Sequence, residues 1–517
     1  MESYKGQRSR EVSSITPARL RQLSTCRRDN TAIQKDVDKA YTARTKTSEL
    51  HSNWERLSPR VVISVVIAAG AAFLTQCELS LAVGSRLVAP VPTANRNEYR
   101  NEYRNEYRKE VQRDEGEPGP PRRGGDSARR LPLELRGRRR ARPGHDDACV
   151  LCPQPELIRK EGYPAEAHVV LTDDGYLLTM HRIPSAAGPA VFLQHGLLAS
   201  SSDWVIAGRG KALAFILAER GYDVWLGNAR GNTYSRSHVR YSTSDLRFWN
   251  FSWHEMASHD LPAEIAYIAG MKKARLTYIG HSMGTTMFFA MAIDRPESAA
   301  KVEAMFALAP VAFMNHLKSP VRLLAPFLRE IELIVRYLGA GQFLPQNAIL
   351  KFLARYGCDV DVTEEKICAN SLFVICGFDA SQFNYTLMPV ILSHSPAGAS
   401  TKTIVHYGQE ITSGRFQRYD YGPKGNLAIY NRTTPPDYDL SKVSVPVGVF
   451  WSENDWLASP VDVKRLYDRL PRKILDYKVD YPKFNHLDFL WALDAPKLVY
   501  AKLLSAMNAS LASNVQV

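Results

Sequence analysis

The stretch Leu276-Thr-Tyr-Ile-Gly280-His-Ser282-Met-Gly284-Thr285 places a serine between two glycines. An apolar strand candidate precedes this turn and an apolar helix candidate follows it. Glycines are needed on both sides of the serine, because a strand that turns at once into a helix leaves little room for side chains. Such a turn presents the serine hydroxyl at the amino end of the helix. The pattern therefore predicts that Ser282 is a nucleophile on a strand-to-helix turn.

The sequence on both sides of this turn alternates short apolar strands with helices. The strand candidates are Val191–Gln194, Val224–Leu226, Leu276–Ile279, Met305–Leu308, Val445–Phe450 and Tyr477–Tyr481. The helix candidates include Gly210–Glu219, Leu261–Ala269 and Thr285–Ile293. Before them, residues 168–171 and 176–181 form a hairpin candidate around an Asp-Asp-Gly turn. This order predicts an α/β fold: a mostly parallel sheet with helices on both faces and functional residues at the carboxyl ends of its strands.

A serine hydroxyl needs a base, and in this fold class the acid and then the histidine follow the serine along the chain. His486 follows the last strand candidate and is the predicted general base. Asp455 follows the preceding strand candidate and is the predicted acid, which orients the imidazole. Glu453 is the alternative acid, and we interpret Asp488 as a local structural partner. Three other histidines follow the serine, but they fall in an inserted segment: His316, His394 and His406.

The tetrahedral intermediate that forms on an attacking serine needs two backbone N–H donors. The residue after the nucleophile, Met283, is predicted to supply one of them. The loop after the first parallel strand reads His195-Gly196-Leu197, and Leu197 is the candidate for the second donor. Gly196 allows the loop to approach closely. His195 precedes the serine, so we interpret it as shaping the loop and not as the base.

Residues 313–440 interrupt the alternation and read as mostly helical. Leu328, Ile331, Val335 and Leu338 share one helix face, and many other apolar residues surround them. We expect an inserted cap or lid here, within a core formed by residues 151–312 and 441–517. The alternative is a set of further helices packed on the core.

The excess of positive charge is confined to the first part of the chain. The 517 residues carry a net charge of +13, but residues 1–148 hold 29 Lys and Arg against 19 Asp and Glu. The later part is nearly neutral, so we expect no nucleic-acid partner. Residues 1–150 are predicted to be a basic and largely disordered extension, with Gly, Pro and Arg concentrated in 113–145. The Cys149–Cys152 pair has no second pair at zinc-ribbon spacing, so no metal site is expected there.

The extension contains one apolar segment, residues 61–83, whose uncharged run covers residues 61–75. This run is shorter than the roughly 20 residues that span a bilayer. Three interpretations remain open: a signal peptide behind an unusual leader, an uncleaved membrane anchor, or a fusion of unrelated sequence to the gene. A buried helix of the core is the purely structural alternative.

Together these motifs resemble the acid lipase family, which includes gastric lipase, lysosomal acid lipase and insect relatives. The resemblance covers residues 153–509 and rests on motifs in a fixed order. They are Gly162-Tyr-Pro, Thr172-Asp-Asp-Gly-Tyr176, Leu193-Gln-His-Gly-Leu-Leu-Ala-Ser200, Gly221-Tyr-Asp-Val-Trp-Leu-Gly-Asn-Ala-Arg-Gly-Asn232, Gly280-His-Ser-Met-Gly-Thr285 and Asn485-His-Leu-Asp-Phe-Leu-Trp491. The sequence departs from the family pattern at Met283, where Gln is frequent, and in Ser452-Glu453-Asn454, which lacks the usual glycines.

The resemblance implies the α/β-hydrolase fold with a cap, and a serine lipase that cleaves triacylglycerols or cholesteryl esters at a lipid–water interface without a metal or other cofactor. It also implies a disulfide between Cys358 and Cys368 and a secreted or lysosomal glycoprotein. Cys376 lies in an apolar run and is expected to be a buried free thiol. Four Asn-x-Ser/Thr sequons fit glycosylation: Asn250, Asn384, Asn431 and Asn508. A membrane anchor through residues 61–83 is the alternative location.

Two other functions remain open at this point. One is a soluble carboxylesterase, because an apolar cap does not define the length of the acyl chain. The other is a non-catalytic lipid-binding protein of the same fold, although the presence of Ser282, Asp455 and His486 together argues against it.

Overall fold

The computed structural model describes residues 153–327, 341–344 and 372–515. Eleven strands are found in these ranges. They are β1 (Glu166–Leu171), β2 (Tyr176–Ile183), β3 (Ala190–Gln194), β4 (Asp223–Leu226), β5 (Ser237–His238), β6 (Leu276–His281), β7 (Val302–Leu308), β8 (Gln342–Phe343), β9 (Ala399–Ser400), β10 (Val447–Trp451) and β11 (Lys473–Lys478).

Nine of these strands form one sheet, in the order β1-β2-β4-β3-β6-β7-β10-β11, and β5 pairs with β2. The six strands β4, β3, β6, β7, β10 and β11 run parallel to one another. Strands β1, β2 and β5 are antiparallel additions at one edge. Every residue of β3, β4 and β6 is buried, as expected for parallel strands covered on both faces. The predicted mostly parallel sheet is confirmed.

Twelve α-helices are found in the same ranges. They are α1 (Gln154–Lys160), α2 (Leu213–Glu219), α3 (Trp253–Glu255), α4 (Leu261–Lys272), α5 (Met283–Asp294), α6 (Pro296–Ala299), α7 (Met388–His394), α8 (Thr401–Ser413), α9 (Gly422–Tyr430), α10 (Pro460–Arg469), α11 (Asp488–Trp491) and α12 (Ala501–Val515). A π-helical turn, Met256–Asp260, joins α3 to α4 without a break. A second such turn, Pro496–Tyr500, leads into α12.

The last strand differs from its predicted position. Residues 477–481 were expected as a strand, but β11 is Lys473–Lys478 and begins four residues earlier. This strand lies at the edge of the sheet and pairs only with β10 within the described part of the chain. Its residues are therefore half-buried or exposed, and they lack the apolar run that identifies the central strands.

The antiparallel edge is joined to the rest of the fold by Arg230, whose side chain is 1% exposed. Its guanidinium bonds Asp174 in the β1–β2 turn at 2.5 Å and Asp260 in the π-helical turn at 2.6 Å. It also lies over the ring of Tyr176, 3.9 Å from the ring centre. Two carboxylates and an aromatic face thus compensate a buried positive charge.

Parts of the predicted cap are described. Segment 313–440 contributes a 3₁₀ helix (Pro320–Phe327), α7, α8, α9 and a short pair formed by β8 and β9. Several predictions fall outside the described residues. These are the extension with its apolar segment, the Cys149–Cys152 pair, the Cys358–Cys368 disulfide and the helix face at 328–338. Within the described ranges, no helix has the length and apolar character to cross a bilayer.

Candidate active site

The turn between β6 and α5 holds Ser282 in a backbone conformation that side chains rarely adopt. Its φ is +52° and its ψ is −118°. Strain of this kind persists only where the surroundings enforce it. A Cβ on Gly284 would overlap the backbone oxygen of Gln194, and the N–H of Ser282 donates to the backbone oxygen of Leu308 at 3.1 Å. The turn is thus held between β3 and β7, and the serine stands at the carboxyl edge of the sheet.

Asp455 and His486 meet at the same edge, although they are 31 residues apart in the chain. Nδ1 of His486 lies 2.8 Å from Oδ2 of Asp455, and both side chains are buried. Oδ1 of Asp455 also accepts the N–H groups of Leu457 at 2.9 Å and Ala458 at 2.7 Å. Because the carboxylate only accepts hydrogen bonds, Nδ1 carries the ring proton and Nε2 is left as the basic nitrogen.

The alternative acid lies elsewhere. Glu453 is at the surface, where it bonds Lys478 at 3.0 Å. Asp488 is buried, and its Oδ2 accepts the N–H of Asn485 at 2.6 Å. Burial raises the pKa of Asp488 well above its ordinary range. Asp488 therefore shapes the loop that carries His486, in line with its interpretation as a local partner.

His195 determines the geometry of the loop after β3. Its Nε2 accepts hydrogen bonds from the N–H of Ala229 and from Nδ2 of Asn232, both at 3.1 Å. The ring proton is therefore on Nδ1, which donates to the backbone oxygen of Gly196 at 2.7 Å. Burial lowers the pKa of His195 to about 4. The C=O and N–H of a trans peptide point in opposite directions, so this bond also fixes the direction of the N–H of Leu197.

The loop approaches the serine closely. A Cβ on Gly196 would lie 3.0 Å from the Cβ of Ser282, so a larger residue would displace one of them. Met283 is the first residue of α5, where the amide has no acceptor within its own helix. Leu197 and Met283, the predicted donors, thus flank the serine on neighbouring segments.

Residues of the motif at 221–232 hydrogen-bond the loop after β3 and hold it in place. The sequence alone did not define this role. Asn232 and Ala229 bond His195, as described above. Asn228 accepts the N–H of Ser201 at 2.9 Å and receives a bond from Asn232 at 2.9 Å. A chain of side-chain amides therefore connects the end of β4 to the loop after β3.

Sequence reasoning also missed a segment of the predicted cap, Cys376-Gly377-Phe378-Asp379, here called the clasp. The backbone oxygen of Cys376 accepts the N–H of Trp456 at 3.3 Å and that of His486 at 3.4 Å. Nδ2 of Asn485 donates to the backbone oxygen of Gly377 at 3.1 Å. The clasp therefore joins the turn that carries Asp455 to the loop that carries His486. Only the glycine in an otherwise apolar run marks it in the sequence.

Comparisons with known proteins show which family the chain resembles. A model for a partial alpha/beta-hydrolase lipase region matches residues 154–208, and a model for the alpha/beta hydrolase fold matches residues 189–334. Lipase 3 of Drosophila melanogaster is 43% identical over 363 residues, which cover 68% of this chain and 92% of that protein. Gastric triacylglycerol lipase of Rattus norvegicus is 40% identical, over 71% of this chain and 93% of the relative. The human gastric enzyme is 42% identical, over 68% of this chain and 90% of the relative.

This chain belongs to the lipase family. The resemblance to gastric lipases and the α/β-hydrolase fold predicted from the motifs are both confirmed. The two family models together match residues 154–334.

The remaining residues singled out in this lipase lie apart from the serine turn or have other partners. Cys376 is buried and free, as predicted, and burial raises the pKa of its thiol. His316 bonds Asp462 at 2.8 Å. His406 bonds the backbone oxygen of Gln417 at 3.0 Å and stacks on Trp253.

One group of described residues could offer ligand atoms to a metal. Asp173, Asp174 and His259 bring such atoms within 4.8 Å of one another. However, Asp174 already bonds Arg230, and Nδ1 of His259 lies 2.6 Å from Asp173. These groups compensate one another, so the cluster does not indicate a metal centre.

Proposed function

We propose that this lipase hydrolyses the carboxylic esters of neutral lipids, triacylglycerols or cholesteryl esters, through an acyl-enzyme on Ser282. The lipase family comprises carboxylic ester hydrolases, and membership is established by identity over more than 90% of the length of relatives. The single observation that carries the assignment of residues is the buried Asp455–His486 pair at the sheet edge where the strained Ser282 turn ends.

The proposed chemistry has two steps, acylation of Ser282 and hydrolysis of the acyl-serine. Oγ of Ser282 attacks the ester carbonyl carbon while Nε2 of His486 accepts the hydroxyl proton. The N–H groups of Leu197 and Met283 stabilise the resulting oxyanion. The intermediate collapses, the alcohol leaves with the proton from His486, and an acyl-serine remains. Water, deprotonated by His486, then releases the fatty acid and restores the serine.

Exposed apolar side chains near the acid turn favour a substrate that forms a surface. Ile375 is 40% exposed and Phe378 is 47% exposed, and the ring of Phe378 packs against Trp456, next to Asp455. Leu323 and Phe327 are also exposed, on the 3₁₀ helix whose preceding residue, Ser319, bonds the backbone oxygen of Trp456. Transfer of these four side chains into a lipid surface gains roughly 25 cal/mol per Å² of apolar area removed from water.

The first experiment measures hydrolysis of emulsified triolein and of cholesteryl oleate by the purified full chain. Wild type is expected to release fatty acid, and Ser282→Ala and His486→Ala are each expected to lose about 10⁶-fold in turnover. The double variant should be no slower than either single variant, because the two residues act in one step. Retained turnover in Ser282→Ala would contradict the mechanism, and lipid binding without hydrolysis by wild type would indicate a carrier.

The second experiment separates a lipase from a soluble carboxylesterase. Activity on a short-chain ester is expected to rise when the ester exceeds its solubility, because the cap at 313–440 is proposed to open at a lipid surface. Phe378→Ser should lower the activity on emulsified triolein but not on the dissolved ester. Val239→Ser is the matched control, since Val239 is 58% exposed on the antiparallel edge of the sheet. A flat response across the solubility limit would favour the soluble esterase.

We also propose a secretory route for this lipase. Asn250, Asn431 and Asn508 are exposed, and Asn384 is half-buried, so the first three are open to modification. The chain expressed in insect cells should reach the medium and shift in mass on treatment with a glycosidase. Retention on membranes after removal of the glycans would favour an anchor through residues 61–83.

A further inference from the structure

His281 precedes the serine, and the chemistry above gives it no task. It ends β6, its side chain is buried, and its ring centre lies 4.9 Å from that of His486. A polar ring in this position is enclosed between the serine turn and the loop of the base. Its hydrogen bonds therefore affect the position of the serine turn relative to the loop that carries His486.

The surroundings define the protonation of this ring. Burial, reinforced by the nearby His486, holds the pKa of His281 well below its ordinary range, so the ring is neutral. Nε2 of His281 lies 2.9 Å from the backbone oxygen of His486. A carbonyl can only accept, so the single ring proton is on Nε2 and is donated to that oxygen.

The other ring nitrogen supports a positional role. Nδ1 of His281 is buried and has no hydrogen-bond partner among the described residues. It lies 3.2 Å from the point that a Cβ on Gly196 would occupy, which places it against the loop of Leu197. A buried acceptor without a hydrogen-bond partner is unfavourable. Nδ1 therefore does not stabilise the fold, and stability does not explain why a histidine occupies this position.

The bond from Nε2 complements the other contacts of His486. Asp455 holds the imidazole through Nδ1, and the clasp accepts the backbone N–H of His486. Neither contact ties the loop to the strand that carries the nucleophile. The bond from His281 does so, one residue before Ser282. Proton transfer is sensitive to such placement, because a shift of about 1 Å can cost about 100-fold in rate.

We propose that His281 is a positioning residue. Its hydrogen bond holds the backbone of His486 in the position from which Nε2 of His486 can take the proton of Ser282. The proposal rests on the proposed function of Ser282 and His486 as nucleophile and base. His281 itself does not contact the ester.

The test compares His281→Leu with His281→Gln on a dissolved p-nitrophenyl ester. The amide nitrogen of Gln reaches the place of Nε2 and can donate the same bond, whereas Leu cannot. His281→Leu should lose about 10- to 100-fold in kcat with KM within about twofold of wild type. His281→Gln should recover kcat to within about fivefold of wild type. The rate at which a phosphonate ester modifies Ser282 should fall in His281→Leu by the same factor as kcat.

His406→Leu is the matched control. His406 is also buried, and its ring donates to a backbone carbonyl at 3.0 Å, but its partners are Gln417, Ser252 and Trp253. Its loss is expected to lower the thermal unfolding midpoint and to leave kcat per folded molecule unchanged. If His281→Leu does not fold, His281→Asn takes its place, because the shorter amide does not reach the carbonyl.

Two results would overturn the proposal: an unchanged kcat in His281→Leu, or an equal loss in the Leu and Gln variants. A result of another kind would reject the proposed function itself, namely full activity in Ser282→Ala or His486→Ala. The failure of the positional role and the failure of the underlying chemistry are therefore distinguishable.

Discussion

Asp455 illustrates how one side chain sets the state of another. Its carboxylate accepts two backbone N–H groups and the ring proton of His486, so it favours one tautomer. Asp455→Asn keeps the shape but can present an N–H₂ group to the ring, which favours the wrong tautomer. Turnover on a dissolved ester is expected to fall about 10⁴-fold with little change in the thermal unfolding midpoint.

The control for this change is Glu453→Gln. Glu453 is an exposed acid on the same turn, and its bond to Lys478 lies at the surface. Its loss is expected to leave kcat within about twofold of wild type, because exposed ion pairs contribute little. If Glu453→Gln is inactive while Asp455→Asn is active, the acid is Glu453.

At the scale of elements, the clasp connects parts of the site that are distant in the chain. Gly377 has a φ of +113°, and a Cβ there would overlap the backbone oxygen of Asn454 and lie 3.2 Å from the Cβ of Asn485. Gly377→Ala should therefore push the acid turn and the histidine loop apart. We expect a loss of about 1–3 kcal/mol in the free energy of unfolding, together with a fall in kcat.

Urea unfolding and ester hydrolysis measure both effects. Gly270→Ala in α4 is the control, since a Cβ at Gly270 meets nothing within 4 Å. It is expected to stabilise the helix by about 0.5–1 kcal/mol and to leave kcat unchanged. Wild-type kcat in Gly377→Ala would show that the clasp does not act on the site.

The elements that sequence patterns identified are those with local signals. The central strands were predictable because they are continuous apolar runs, and the site residues because parallel strands bring their carboxyl ends to one edge. The edge strand β11 begins four residues before its predicted start, since its side chains are exposed or half-buried and give no apolar run. The clasp was not predictable, because its partner Asn485 is 108 residues away and no periodicity marks such a contact.

For the whole molecule, buried carboxyl groups predict a preference for acid conditions. Burial raises the pKa of Asp203 to about 7, from an ordinary value of 3.8, and that of Glu264 and Glu410 well above the usual range. These groups keep their protons up to a higher pH in the folded state than in the unfolded state. Their stabilising effect is complete below about pH 4 and is lost as the pH rises through the folded pKa.

Other carboxylates act in the opposite direction. Burial alone would raise the pKa of Glu255, but the Lys402 ammonium lowers it to about 2. Its contribution is present above about pH 4 and is lost toward pH 2. The thermal unfolding midpoint is therefore expected to be highest near about pH 4–5 and to fall toward pH 8.

Asp203→Asn tests the part of this profile that comes from Asp203. Asp203 accepts a bond from Ser395 at 2.9 Å, and its ionisation between pH 4 and 7 costs up to about 4 kcal/mol. The variant should flatten the decline between pH 5 and 8 in thermal unfolding scans. A wild-type midpoint that stays constant over this range would contradict the prediction.

The extension before residue 150 is expected to be dispensable for the chemistry. Every proposed site residue lies between Leu197 and His486, whereas the extension holds most of the excess charge. A chain shortened to residues 149–517 and secreted should retain full turnover on dissolved and emulsified esters. A large fall in turnover with an unchanged unfolding midpoint would assign the extension a role in catalysis.

The buried guanidinium of Arg230 has a consequence for how the protein opens. Its partners, Asp174 and Asp260, belong to segments 86 residues apart, and opening the hairpin would break the bonds between Asp174 and the buried guanidinium. The β1–β2 hairpin lies at the edge of the sheet, where strands ordinarily fray first. Because of this tie, the amide protons of β1 and β2 should exchange with deuterium only when the entire domain unfolds. They should therefore exchange as slowly as those of the central strands.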